Sequence, residues 1–389
     1  MKTWLSVLLM CATLFCISAV RGQDAISERD WIAIYWDFDL PGLETPSPSL
    51  TNLKNSVRET LSGVDITTYY GVEPDYDISI GLFGDDQVLV VIDPRVLGDQ
   101  LPQSQILFAH PLFDLMDRGA YYQIAFTARQ ESSAAIEAAQ NFLVAMSLYS
   151  INRCDLAENF FSQAQNHASE LLYAWEIDPE NLQRDQADTI AFYRGNCALT
   201  LGNYDEAQIY FEQALFADNG ELNFSPAVNL AWTYLHLGYH DEAFSIMDRM
   251  LNPQDYVVMQ ILALQSRSQL YALAFRYDEA IADMDAAIAL EPDNPLLYIE
   301  RGQRILLLYE WDRALADYNR ALELAPHYAN GYYYRGVLYA SVPEGMEARR
   351  AALDDFEHYL ELAPEGVHAT DAVRYIEEIE AQLDSLGNP

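Results

Sequence analysis

The sequence predicts a mainly α-helical solenoid of about six helical hairpins closed by a C-terminal helix, and preceded by a small α/β domain. Three observations carry this. A short signature recurs at nearly constant spacing through the second half of the chain. Small residues recur where paired helices must cross. Ahead of about residue 130 the apolar pattern shortens into strand-like stretches broken by turns.

The recurring signature is a second-helix pattern. It reads Tyr204-Asp205-Glu206-Ala207 with Phe211 and Ala214, then His240-Asp241-Glu242-Ala243 with Met247 and Met250. It returns as Tyr277-Asp278-Glu279-Ala280 with Met284 and Ala287, and as Trp311-Asp312-Arg313-Ala314 with Tyr318 and Ala321. The alanines lie 36, 37 and 34 residues apart. An earlier copy places Ala157, Phe161 and Ala164 in these roles, and a later one Ala352, Phe356 and Tyr359. This resembles the tetratricopeptide repeat (TPR), whose 34 positions put small residues at 8, 20 and 27 and a proline at 32. Gly195, Ala231, Ser268, Gly302 and Gly336 fill position 8, and Pro292, Pro326 and Pro364 fill the stop. A small residue lets one helix sink into its neighbour while the aromatic at position 24 fills the space beside it.

The likeness covers residues 134–364, with two departures. The first copy stands 50 residues from the second, 16 more than the period, and the insertion around Trp175 and Asp178-Pro179 is expected to lengthen a helix and add a loop. The last copy carries four extra residues at Val342-Pro343-Glu344-Gly345. Within residues 365–389, Val373, Ile376, Ile379 and Leu383 recur at helical spacing among glutamates, as in a capping helix.

Residues 23–130 read as the α/β domain. Trp31 to Trp36 is a strand, Leu50 to Leu61 an amphipathic helix and Asp65 to Tyr70 a strand. Ile78 to Phe83 and Gln87 to Ile92 form a hairpin about Gly84-Asp85-Asp86, and Ala120 to Thr127 is a further strand or an early helix start. In element order the segment resembles the amino-terminal domain of TolB and FlgO-type proteins, without the helix that usually precedes the hairpin. Glu44-Thr45-Pro46-Ser47-Pro48 marks a loop.

Residues 1–22 read as an export signal: Lys2, an apolar run from Trp4 to Val20, then Val20-Arg21-Gly22, so that the mature chain starts near Gln23. An uncleaved anchor is the alternative. Met10 and Phe15 precede Cys11 and Cys16, which argues against lipid attachment. Without the signal the chain has 20 basic and 59 acidic residues, a net charge of −39, and Lys54 is its one lysine. Nucleic acid is therefore a poor partner, and a basic or apolar protein or peptide the expected one. Cys154 and Cys197 read as buried thiols, with a bridge between them as the alternative.

No cofactor or metal motif stands out. Asp37 and Asp39 superficially resemble a phosphatase nucleophile motif, but Pro41 takes the place of a hydroxyl residue and no lysine other than Lys54 could assist. His236 and His240 flank Gly238 at an inter-helix turn, which argues against a shared zinc. Arg194, Arg267, Arg301 and Arg335 occupy position 7, with Asp283, Asp317 and Asp355 at position 23 of three of those repeats. Structural pairing is the leading reading and an anion-binding ladder the alternative.

In the TPR family the ligand groove is lined by positions 2, 5, 9, 12 and 13 of the first helices. The resemblance places Phe142, Met146, Tyr149, Phe192, Val228, Trp232, Leu235, Ile299, Leu306 and Tyr333 there, with the amides Asn196, Gln265, Gln269 and Gln303. The implied function is a non-catalytic scaffold or adaptor outside the cytoplasm whose groove takes an apolar or aromatic segment, the amides bonding its backbone. Two alternatives stand beside it: a sensor or hydrolase with its site in the N-terminal domain, and a groove filled by inter-repeat core or by that domain.

Overall fold

The computed structural model describes residues 31–36, 48–70, 78–83, 87–92, 122–128, 133–166, 171–176, 183–184, 189–216, 222–251, 257–342, 345–364 and 366–387. The export signal, Asp37 and Asp39, and the Gly84–Asp86 turn lie outside them. Two compact units divide between Met247 and Asp248.

The first unit opens with β1 (Trp31–Trp36), α1 (Pro48–Gly63), β2 (Thr67–Tyr70), β3 (Ile78–Phe83), β4 (Gln87–Ile92) and β5 (Tyr122–Ala128). β1 runs parallel to both β2 and β3, which needs crossovers, and α1 supplies the first of them. Ile32 and Ile34 of β1 are buried with Val57 and Leu61 of α1 and with Ile66, a core with apolar residues alternating on the strand and spaced four apart on the helix. From β3 onward the sheet is antiparallel.

The sheet does not end at residue 130. After α2 (Ser133–Ser150) and α3 (Cys154–Gln165), the insertion forms β6 (Leu171–Glu176) and β7 (Gln183–Arg184). β6 pairs antiparallel with β5, Ile124 opposite Trp175, and completes the order β2-β1-β3-β4-β5-β6-β7. This corrects the expectation of a longer helix and loop there, and of an uninterrupted array of helix pairs from residue 134. The physical reason is that Leu171-Leu172-Tyr173-Ala174-Trp175 is an apolar stretch with two strand-favouring aromatics, Tyr173 and Trp175, and meets an otherwise open edge of β5. Of the stretch expected as a strand or helix start from Ala120 to Thr127, the described part belongs to β5, and Ala120 and Tyr121 lie outside the described residues.

The first unit continues with α4 (Thr189–Thr200), α5 (Tyr204–Gln213), α6 (Phe224–Leu237) and α7 (His240–Met250). The second unit holds α8 (Val257–Leu273), α9 (Tyr277–Leu290), α10 (Pro295–Leu306), α11 (Trp311–Leu324), α12 (Ala329–Ser341), α13 (Met346–Leu362) and the capping helix α14 (Ala369–Gly387). Their starts and stops follow local chemistry. Asn294 caps α10 by accepting from the Leu296 N–H at 3.0 Å, with Pro295 in the first turn. The carbonyls of Pro292 and Pro326, freed at the ends of α9 and α11, accept the hydroxyls of Tyr298 and Tyr332 from the next helices at 2.9 and 3.0 Å.

Where the helices of a hairpin cross, the contact is as close as the pattern requires. A β-carbon at Gly195 would lie 2.5 Å from the Phe211 ring, one at Gly302 2.6 Å from the Tyr318 ring, and one at Gly336 3.0 Å from the Phe356 ring. Those rings are buried. Ser268 fills the equivalent place in α8 and donates its hydroxyl to the Ala280 carbonyl at 2.8 Å. Gly302→Ala is expected to cost about 1–3 kcal/mol through overpacking against Tyr318, measurable as a lowered denaturant midpoint.

The cap closes over an aromatic clamp. The His368 imidazole stacks on Tyr333 at 4.0 Å, and its backbone N–H donates to the Tyr359 hydroxyl at 3.0 Å. Burial lowers its pKa to about 4, offset only in part by Asp371. Between an unfolded value of about 6.5 and that folded value, the unfolded chain takes up a proton that the folded chain refuses. Stability is thus fully present above about pH 6.5 and falls as pH drops toward 4, by on the order of 3 kcal/mol. Acid melts of the parent and His368→Gln are expected to diverge in that window, the parent having the steeper loss.

Candidate protein-binding surface

The side chains assigned to the groove fall on α2, α4 and α6 in the first unit and on α8, α10 and α12 in the second. In the first unit most are packed inward. α1 lies against α2, and Gln140 donates to the Thr60 hydroxyl at 3.0 Å between them. Phe142, Met146 and Tyr149 are buried, Phe142 edge-on to Phe161 and Tyr149 edge-on to Tyr193. Phe192 is buried between Tyr193 and Phe211, and Val228 is buried too. The Asn196 amide lies in a buried polar chain, accepting from Asn229 at 2.7 Å and donating to the Tyr149 hydroxyl at 3.4 Å.

The open part of this surface is a three-ring stack. His236 of α6 lies flat against Tyr204 of α5 at 4.7 Å and tilted against Trp232 at 3.9 Å, with Tyr204 and Trp232 6.0 Å apart. Trp232 is itself buried, Tyr204 and the neighbouring Leu235 are half-buried, and His236 is exposed. Sequence reading weighed His236 only as a metal ligand. The signal it offered is the repeat register, which sets position 13 of one repeat beside position 17 of the previous one. His240 begins α7 beyond the left-handed Gly238, and no group of metal-ligating side chains occurs among the described residues.

In the second unit Ile299 and Tyr333 are buried and Leu306 half-buried. The amides are engaged by the protein itself: Gln265 donates to Glu300 at 3.1 Å, Gln303 bonds the Tyr334 phenol and Gln269 accepts from Arg304. Arg304 is a feature that sequence reading passed over. It is only 4% exposed, also bonds Ser268 Oγ at 3.4 Å, and forms no ion pair among the described residues. Burial lowers its pKa, so the guanidinium is held by amide and hydroxyl dipoles in place of a carboxylate.

The position-7 arginines pair as the spacing predicts. Arg267 binds Asp283 in a fork at 2.8 and 2.6 Å, Arg301 binds Asp317 at 2.9 and 2.7 Å, and Arg335 binds Asp355 at 2.9 and 2.7 Å. Each also reaches position 25 of the preceding repeat: Asp248 at 2.6 Å, Asp285 at 2.7 Å and Asn319 at 2.8 Å. The carboxylate fork raises the pKa of all three guanidinia. Arg194 in the first unit differs, meeting Glu158 at 2.6 Å and lying over the Tyr210 ring at 4.2 Å. The arginines are thus structural ties, and the anion-ladder alternative falls. Cys154 and Cys197 are buried free thiols.

With this geometry in place, comparison with known proteins adds the class. Residues 189–220 and residues 262–294 each match a model of the tetratricopeptide repeat. The chain therefore carries TPR units, and its helical hairpins are a TPR α-solenoid. Neither match falls on residues 23–130, where the likeness to TolB rests on element order alone. Among solved structures, a tetratricopeptide repeat protein from Parabacteroides merdae is 15% identical, with 72% of this chain and 99% of that one covered and a TM-score of 0.44. A TPR protein from Thermus thermophilus is 25% identical over 49% of this chain and 98% of its own, with a TM-score of 0.36. The first TPR of Spaghetti (RPAP3), solved bound to an HSP90 peptide, is 27% identical over 32% of this chain and 95% of its own, with a TM-score of 0.29. Curated proteins give no match.

The arginine ties yield a graded expectation. Asp317 is nearly buried and Asp285 is 56% exposed at its side chain, though both bind Arg301. Asp317→Asn is expected to cost on the order of 3 kcal/mol and Asp285→Asn at most about 1 kcal/mol, read by urea denaturation of the two variants side by side.

Proposed function

We propose that the chain is a non-catalytic adaptor that works outside the cytoplasm and binds a protein or peptide segment on the inner-helix face of its TPR hairpins. The Tyr204–His236–Trp232 stack, with Leu235 beside it, is the observation that carries this reading. It offers an apolar, ring-lined surface on a rigid hairpin scaffold, the kind of anchor point that dominates binding energy in protein interfaces. The strong negative charge favours a partner that is basic or apolar. On this reading Phe142, Met146, Phe192 and Tyr333 shape the hairpins from within and Gln265 and Gln303 are held by Glu300 and Tyr334, while Leu235 and His236 meet the partner. Export rests on residues 1–22, and N-terminal sequencing of the protein recovered from its host is expected to start near Gln23. The resemblance of residues 23–130 to the TolB amino-terminal domain belongs with this extracytoplasmic reading.

The experiment places a photo-crosslinking amino acid at Leu235 and, separately, at Phe216, an exposed residue away from the ring stack. A discrete protein adduct from Leu235 and none from Phe216 is the expected outcome. Its loss in His236→Ala, with an unchanged melting temperature, locates the contact on the stack. Equal labelling from both positions would sink the reading.

A further inference from the structure

Position 15, in the turn between the two helices of a hairpin, takes left-handed backbone in all of the first five hairpins. Asn152, Gly202 and Gly238 do so at φ 59°, 76° and 83°. Glycine and asparagine accept this conformation readily. In the next two hairpins the residues are Phe275 at φ 61° and Tyr309 at φ 60°, and for bulky side chains that conformation is unfavourable. Neither ring is buried in return: Phe275 is 73% exposed, the highest value for a large hydrophobic residue among those described, and Tyr309 is 53% exposed. The turn does not need an aromatic, since three hairpins close without one. The core does not need it, since both rings stand in water.

Each ring is held by a second aromatic two residues on, Phe275 edge-on to Tyr277 at 6.3 Å and Tyr309 tilted against Trp311 at 6.1 Å. α9 packs on α10, so the two ring pairs recur one repeat apart within the second unit. The local cations are already spent. Arg276 pairs with Glu279 at 3.0 Å and lies 4.5 Å from the Tyr271 ring centroid, and Arg313 pairs with Glu310. Asp278 and Asp312 remain exposed and form no ion pair among the described residues. Residues 248–389 as a whole carry 25 acidic and 11 basic residues.

We infer that this turn edge is a docking surface, separate from the inner-helix face, for a basic segment of a partner protein. Lysine or arginine side chains lie over the outward ring faces of Phe275 and Tyr309 and pair with Asp278 and Asp312, while apolar residues between them cover the ring edges. A cation over a ring needs that ring exposed and fixed, which the strained turn and its second aromatic provide.

The full chain is titrated with a fluorescently labelled lysine–leucine peptide and with its glutamate–leucine counterpart. Three variants are compared: Phe275→Gly/Tyr309→Gly, Asp278→Asn/Asp312→Asn, and, as a control at an exposed residue of α14, Val373→Ser. Glycine suits the backbone at position 15, so the first variant is expected to melt at or above the parent temperature while binding the lysine–leucine peptide about tenfold more weakly. The second is expected to bind more weakly with a shallower salt dependence, and Val373→Ser to bind as the parent does. The inference is overturned if the glycine variant binds like the parent or melts well below it, if the glutamate–leucine peptide binds equally, or if sedimentation shows the rings serving self-association.

Discussion

The structure depends on one close approach, repeated. A position-8 residue with little or no side chain sits on one helix, and a buried side chain from position 24 of the next fills the space above it, a ring in four hairpins and Met247 and Met284 in the other two. At Gly195 and Gly302 the separation leaves no room for even one β-carbon, and at Gly336 a β-carbon would be tight against the Phe356 ring at 3.0 Å. Packing at this density makes the inter-helix distance a fixed quantity that a side-chain rearrangement cannot absorb. Within the second unit, the prolines that follow α9 and α11 each accept a bond from a tyrosine of the next helix, which sets that helix against the hairpin before it.

The arginine ties work on top of that frame. Positions 7 and 23 hold Arg and Asp together in three repeats, whereas the first and third repeats hold apolar residues at both, Val144 with Phe160 and Leu230 with Ile246, all four buried. Exchange as a set is what the energetics of buried pairs predicts. A lone buried carboxylate or guanidinium is costly, but a complete pair and a complete apolar contact are nearly equivalent in stability. The gain from the ionic version is geometric. The guanidinium forks onto its own repeat and reaches one residue of the preceding repeat, so it fixes both the pairing within a hairpin and the register between hairpins.

What the sequence made legible is what depends on neighbours at fixed spacing. Helix pairs, their crossings, the arginine forks and the strands Trp31–Trp36, Ile78–Phe83 and Gln87–Ile92 all follow from period and local composition. What it hid depends on which elements meet in space. Leu171–Glu176 has strand-forming residues, but its assignment requires the open edge of β5, nearly fifty residues earlier in the chain. The repeat register numbers the groove positions along the helices, yet numbering does not say which are covered. Phe142 and Met146 lie on a helix against which α1 packs, and Tyr333 lies under His368. Arg304 escaped notice because position 10 has no charged partner at a repeat spacing: its contacts are an amide and a hydroxyl on α8.

The insertion between the first and second hairpins changes what counts as a domain. Because β6 and β7 come after α2 and α3 in the chain but complete the sheet begun by β1, the first hairpin is enclosed between two halves of one sheet in sequence. No cut near residue 130 separates a complete sheet from a complete repeat array. A cut there leaves β5 without its partner strand and takes α1 away from the buried face of α2. An exposed sheet edge is a template for unwanted pairing, and the return strand covers the one that β5 would present. The same return ties the sheet to the helices of the first unit by three chain connections, β5 to α2, α3 to β6 and β7 to α4, where a single linker would leave their orientation free. Within the first unit the sheet meets the helices at α2, which packs against both β5 and β6, so the first hairpin is set against two strands that lie on either side of it in the chain.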